Sequence, residues 1–275
     1  MSSLAFPGMK AEEMISIARE NDLALEFSSG LSYREDMESV YIHADVKRLP
    51  HNYFPAPEIP FVLNLASSND GIRRKSIEHC KMGLRLAKYS DAPFFAAHAG
   101  FCIDPDPQEL GRKLDIAYGY DKNLHRSLFL ESIAEVLRVA DDLRENFLIE
   151  NNVIARFNYR DGENPLLCCE SSEISWLFEN IKHERLGLLL DTAHLKVSCN
   201  TLGKKLNEEL DLISRYIKGI HHSDNHGNSD DNLPLTREYW FLNHVREFSG
   251  IPQVLEVKNL SAMEIKEQFK LLQTV

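Results

Sequence analysis

The sequence predicts an α/β protein closed as a single (β/α)8 barrel, and three observations carry that expectation. Short apolar runs alternate with longer amphipathic stretches about eight times, with no hairpin signal between runs, so the strands are joined by crossovers and lie parallel. The run Leu186–Leu190 is apolar on both faces, as a strand covered by helices on one side and by a barrel interior on the other must be. Finally, the runs share an ending: SVYIHADV carries His43, PFFAAHAG His98, NFLIENN Glu150, LGLLLDTAH Asp191 and His194, KGIHHSDN His221, and PQVLEVK Glu256. Barrel enzymes place their chemistry at the C-terminal ends of the strands, where these groups stand.

Taken in order, Leu4–Phe6 is a short opening strand, and Lys10–Glu20 is a helix with Ala11, Met14, Ile17 and Ala18 on one face. Leu23–Phe27 and Ser39–Val46 are the next strands. His51–Leu65, with Pro55, Pro57 and Pro60, is a long loop over one end of the domain. Ser68, Asn69 or Asp70 caps a helix over Gly71–Lys88. Pro93–Ala97 is a strand and Cys102–Tyr120 a second long polar loop. Leu124–Leu143 has the strongest helical stripe, through Leu128, Ile133, Val136, Leu137, Ala140 and Leu143. Phe147–Glu150 (strand), Ser171–Asn180 (helix), Leu186–Leu190 (strand), Leu206–Tyr216 (helix) and Ile217–His222 (strand) follow. Glu238–Phe248 (helix), Gln253–Val257 (strand) and Ala262–Leu272 (helix) complete the pattern. No Pro/Gly/Ser-rich linker interrupts it, so residues 1–275 read as one domain.

Composition excludes several classes. With 43% hydrophobic and 27% charged residues the chain is not disordered. A net charge of -11 disfavours nucleic acid as a partner, because duplex binding relies on Lys and Arg to displace counterions. Cys80, Cys102, Cys168, Cys169 and Cys199 show no CxxC spacing and read as reduced thiols. No apolar run is long enough to span a bilayer and no secretory leader is visible, so a soluble, cytoplasmic protein is expected, its oligomeric state open to a homo-oligomer.

Glu150, Asp191, His221 and Glu256 come from four successive strands and would meet in one mouth. Carboxylates crowded together repel unless their pKa values rise or a cation sits among them. Three carboxylates and an imidazole, with no thiolate, suit a divalent Mn, Mg, Co, Fe or Zn ion. His43 and His98 would arrive on the Glu150 side and could hold a second ion. His194 and Asp230 could make a third, weaker pocket. The bland reading of any one of these residues is a structural hydrogen bond; the ordered set is what favours a metal. His222, alternate to His221, reads as a packing residue, Asp224 as a loop anchor and His226 as solvated.

HADV at His43, VLNLASSND, HAG at His98, IENN at Glu150, DTAH at Asp191, HHSDN at His221, SDDNLPL at Asp230 and LEV at Glu256 together resemble the xylose-isomerase-like TIM barrels. That group includes sugar-phosphate isomerases and epimerases and the endonuclease IV proteins. The resemblance implies a divalent-metal-dependent isomerase or epimerase of a sugar, sugar phosphate or polyol. Glu150, Asp191, His221 and Glu256 would be its metal ligands. Glu150 and Glu256 would also exchange the proton beside a carbonyl through a metal-stabilised enediolate, or feed a lyase through the same enolate, while His194, His43 and His98 contact substrate. The alternative it implies is a phosphodiesterase at abasic DNA sites, with His43, His98, His194 and Asp230 as additional ligands. Asn232 departs from that branch, which has histidine there.

Overall fold

The strands of the computed structural model, which describes residues 1–114 and 119–273, follow one another in chain order. They are β1 (Leu25–Phe27), β2 (Arg48–Pro50), β3 (Phe95–His98), β4 (Phe147–Glu150), β5 (Leu186–Asp191), β6 (Ile217–His222) and β7 (Gln253–Leu255). All pairing is parallel: β1 with β2, and β3 through β7 in sequence order. A bridge from His51 to Ala96 joins the two sheets. The extended segment Met1–Ser2 closes the circle, Ser2 donating its N–H to the Leu255 carbonyl at 2.9 Å while Glu26 donates to the Met1 carbonyl at 2.8 Å. This segment and the seven strands make a ring of eight, the closed barrel that the alternation predicts.

The strands read as apolar because both their faces are covered: every residue of β4 and of β5 is buried. The helices around them are α1 (Ala11–Glu20), α2 (Met37–Ile42), α3 (Asp70–Tyr89), α4 (Lys122–Leu143), α5 (Ser171–Asn180), α6 (Thr192–Leu202), α7 (Leu206–Ile213) and α8 (Ala262–Gln273). α3 starts where the Asn69 side chain accepts from the N–H groups of Gly71 and Ile72, and its buried stripe runs Ser76, Ile77, Cys80, Leu84 and Ala87. Asp121 caps α4 in the same way, and Arg144, in the left-handed conformation at φ 58°, ends it. The two long helices pack side by side, with Lys81 of α3 2.7 Å from Glu135 of α4. Among the described residues no helix is long and apolar enough to cross a membrane.

Three expected elements form differently. Ser39–Val46 is not a strand: Met37–Ile42 is the helix α2, and the strand lies further on, at Arg48–Pro50. The alternation of SVYIHADV masks a stripe of Met37 and Tyr41, four apart and both buried, with Tyr41 packed edge-on against Phe27 at 5.0 Å. Leu4–Phe6 falls largely in a turn of 3-10 helix, Ser3–Ala5, because the strand position is filled earlier, by Met1–Ser2. Of Glu238–Phe248 only Leu242–Phe248 is helical, and as 3-10 helix. Residues 115–118 of the second long loop lie outside the described residues.

Candidate metal centre

Polar residues at or next to the strand ends gather at the barrel mouth, and at β5 the next element locks one of them there. Asp191 closes β5 and is also the N-cap of α6, so its Oδ1 accepts from the His194 N–H at 2.7 Å. Asn151 clamps the same peptide from the neighbouring strand, accepting from the Asp191 N–H at 2.8 Å and donating to the Asp191 carbonyl at 3.1 Å. The remaining oxygen, Oδ2, is buried without a hydrogen-bond partner. DTAH is therefore at once a helix start and a means of aiming one carboxylate oxygen inward.

Glu150, Asp191, His221 and Glu256 meet, with one candidate ligand atom from each lying within 4.8 Å of the others. Both carboxylate oxygens of Glu150 are buried without a well-formed hydrogen bond. Ring nitrogens of His51, His98, His194 and His221 surround them at 3.2, 3.6, 3.7 and 3.7 Å. Two further groups overlap the first: His51, His98 and Glu150, and Glu26, His51 and His221.

His43 is not part of this centre. It caps the C-terminus of α2, is exposed, and donates from Nδ1 to the Ser39 carbonyl at 2.8 Å on its own helix. The displacement follows from the strand shift: β2 ends at Pro50, so the residue delivered to the mouth is His51, which is fully enclosed. Glu26 on β1 is the other member that the sequence reading passed over. Asp230 is brought in, with Oδ2 3.3 Å from His194 Nε2. Asn232 sits nearby at φ 48°, a left-handed conformation that asparagine tolerates better than most residues. His222 points away, bonded to Tyr239 and Gln253; Asp224 holds Lys196 at 2.6 Å; His226 is exposed.

The proton inventory of the rings bears on what the centre can hold. If His221 Nε2–H donates to Glu26 at 2.8 Å, a neutral ring turns its Nδ1 lone pair toward Glu256 at 3.0 Å, Glu150 at 3.7 Å and Asp191 at 4.0 Å. His194 repeats the conflict: Nδ1–H donates to the Asn151 carbonyl at 2.9 Å, so Nε2 faces the Asp230 carboxylate. Lone pairs aimed at carboxylates need a positive charge between them, either an added proton or a metal ion. The electrostatics without an ion express the first option. Burial alone pulls the His221 pKa down, but Glu26 and Glu256 outweigh it and hold the ring well above its ordinary value. Burial likewise raises Glu150, yet His98 and His51 outweigh it and keep the carboxyl well below the usual range. Asp191, dominated by burial and beset by Glu256, Asp230 and Glu150, is pushed up to about 8. Orphaned carboxylate oxygens and inward lone pairs fit a divalent ion. Glu150, Asp191, His221 and Glu256 would hold it, and His51, His98 and Glu150 are spaced for another.

A cavity of about 520 Å³ is lined by His98, His194 and Asp230 among others, so it adjoins the cluster through His98, which groups with Glu150, rather than through the four-residue group itself. Fold and centre together define a (β/α)8 barrel carrying a carboxylate and imidazole cluster at its C-terminal mouth. The chain belongs to the xylose isomerase-like TIM barrel family, whose pattern matches residues 16–274. Among solved structures it resembles a D-tagatose 3-epimerase-like protein, at a TM-score of 0.71 and 16% identity over 99% of this chain and 97% of that one. It also resembles the 3-keto-D-glucoside 4-epimerase of E. coli, at 0.68 and 13% identity over 100% and 98% of the two chains. Endonuclease IV from Thermus thermophilus matches at 0.60 and 15% identity over 100% and 98%. Among curated proteins compared by sequence, none matches significantly.

Proposed function

We propose that the protein is a divalent-metal-dependent epimerase or isomerase of a sugar or related polyol. One observation carries the reading: Glu150 on β4 and Glu256 after β7 flank Asp191 and His221 in a single ligand group, which a cavity of about 520 Å³ adjoins at His98. The epimerase names of two structural neighbours agree with it. A bound dication supplies Lewis-acid stabilisation of negative charge on substrate oxygens. The chain's own residues then divide the proton work. Glu150, held ionised by the rings around it, is ready to take a proton from carbon beside a carbonyl, and Glu256 returns one from the other flank. His98 and His194, on the cavity wall, position hydroxyls.

The test is solvent-deuterium exchange into a panel of keto sugars and keto polyols, followed by NMR on protein reconstituted with manganese or cobalt. Exchange into at least one member is expected, reduced about 10²–10⁴-fold by Glu150→Gln and by Glu256→Gln. No exchange into any member by the intact protein rejects the reading.

A second reading, a phosphodiesterase at abasic DNA sites, draws on a specific observation: His51, His98 and Glu150 form a second group that shares Glu150 with the first, and His194 with Asp230 a further pair. Against it stand the net charge of -11 and Asn232. Metal counting separates the two, since about one tightly held ion supports sugar chemistry and two or three support in-line phosphoryl displacement.

A further inference from the structure

We infer, taking the centre to bind a sugar as proposed above, that the sugar carries an apolar substituent, an aglycone or comparable hydrocarbon group, which packs against the apolar part of the cavity wall. Volume is the first indication. At about 520 Å³ the cavity lies in the range of roughly 300–1,000 Å³ that takes drug-sized ligands, well beyond one hexose ring.

The second is how the lining is divided. His98, His194 and Asp230 are among the polar lining residues. Val62, Phe101, Leu114 and Leu166 also line the cavity, and with Ile154 and Cys169 they form a hydrophobic cluster separate from the barrel core, which makes its apolar arm. Of the neighbouring asparagines, Asn158 is engaged at both ends of its amide, accepting from the Leu114 N–H and donating to the Arg112 carbonyl, and the Asn152 NH2 donates to the carbonyls of Ala99, Gly100 and Leu167. Sugar hydroxyls placed against Val62, Phe101, Leu114 and Leu166 would lose water without gaining partners from those side chains, which is unfavourable for each one.

The third is exposure. Leu110 and Phe157 are 47% and 39% exposed although both line the same cavity from different loops. Large apolar side chains gathered at a rim mark a surface waiting for an apolar ligand. The wall is also held in place without one. Asn158 accepts from the Leu114 N–H at 2.9 Å, and Asn64 donates to the Ile103 carbonyl at 3.0 Å and to Asp104 at 2.8 Å. The arm is thus formed in advance, and an apolar group entering it does not have to order a loop.

The experiment compares matched methyl and phenyl glycosides of glucose, galactose, mannose and xylose, each oxidised to the 3-keto form so that it keeps the carbonyl the centre is proposed to bind, by calorimetric titration of the manganese-loaded protein. For at least one sugar the phenyl glycoside should bind about ten- to a hundredfold more tightly, the gain from burying one ring. Leu110→Ser combined with Phe157→Ser, both at exposed positions, should shrink that ratio severalfold. No phenyl glycoside binding more tightly than its methyl partner, or a ratio untouched by the double substitution, overturns the inference. Deuterium exchange into free ketoses reports on the metal chemistry alone, so failure of the arm and failure of the proposed reaction are distinguishable.

Discussion

Glu26 orients a ring of the candidate metal centre from behind. It is fully buried, and its Oε2 lies 2.8 Å from His221 Nε2, on the far side of the ring from Glu150, Asp191 and Glu256. A carboxylate there keeps the proton on Nε2 and the lone pair of Nδ1 on the ion-binding side. Glu26→Gln should therefore weaken manganese binding about ten- to a hundredfold in a calorimetric titration, with Glu26→Asp recovering part of it. Equal affinity in the Gln variant would show that the ring is oriented by packing alone. The signal for Glu26 was present in the sequence, since LEF ends an apolar run on an acid as FLIE and VLE do, but Phe27 continues the run and hides the ending. His51 had no such signal. Its strand is three residues long and closes on Pro50, too short to display a period of two. Glu150, Asp191, His221 and Glu256 were legible because β4 and β5 are fully buried runs and β6 is buried at all but Lys218, each with an abrupt polar end, and β7 shares the ending.

At the scale of elements, α3 and α4 were legible because each carries a side-chain cap and a stripe repeated over several turns. α2 was not, because one and a half turns offer a single i, i+4 pair against a misleading alternation. The long helices also contain a close fit that helix propensity would misjudge. Gly83, inside α3, lies over the ring of Phe95 on β3, and a Cβ added there would stand 2.2 Å from Phe95 Cε2. Phe95 is fully buried and stacked with Phe147, so its ring has nowhere to retreat. Gly83→Ala raises helix propensity by about 1 kcal/mol, whereas overpacking of a closed core costs about 1–3 kcal/mol. The net expectation is a lower urea midpoint with an unchanged m-value. A variant as stable as the parent, or more so, would mean that helix and barrel separate more easily than their packing suggests.

For the whole molecule, the barrel followed from alternation and strand endings spread over the entire chain, so errors at single elements left it intact. The substrate did not follow, because the cavity wall is assembled from loop residues such as Val62, Leu110 and Phe157, whose positions depend on contacts between loops. Burial on this scale also ties stability to pH at a group outside the ligand cluster. His79 on α3 is enclosed by Tyr53 and Phe61 and bonded through Nε2 to the Asn52 carbonyl. Burial lowers its pKa from 6.5 to about 4, despite the opposing hydrogen bond. At pH values above 6.5 the ring is neutral in both the folded and unfolded chain, and its full contribution is present. Below 6.5 the unfolded chain takes up a proton that the folded one refuses, so stability falls as pH drops toward 4. His79→Gln removes this dependence. The unfolding free energy of the parent relative to the variant should decline by about 3 kcal/mol between about pH 7 and pH 4. Urea denaturation of both proteins in chelator keeps the ligand cluster common to the two curves, so its titration cancels in the difference. A constant difference across that range would place His79 in contact with water and contradict the packing of α3 against the loop that follows β2.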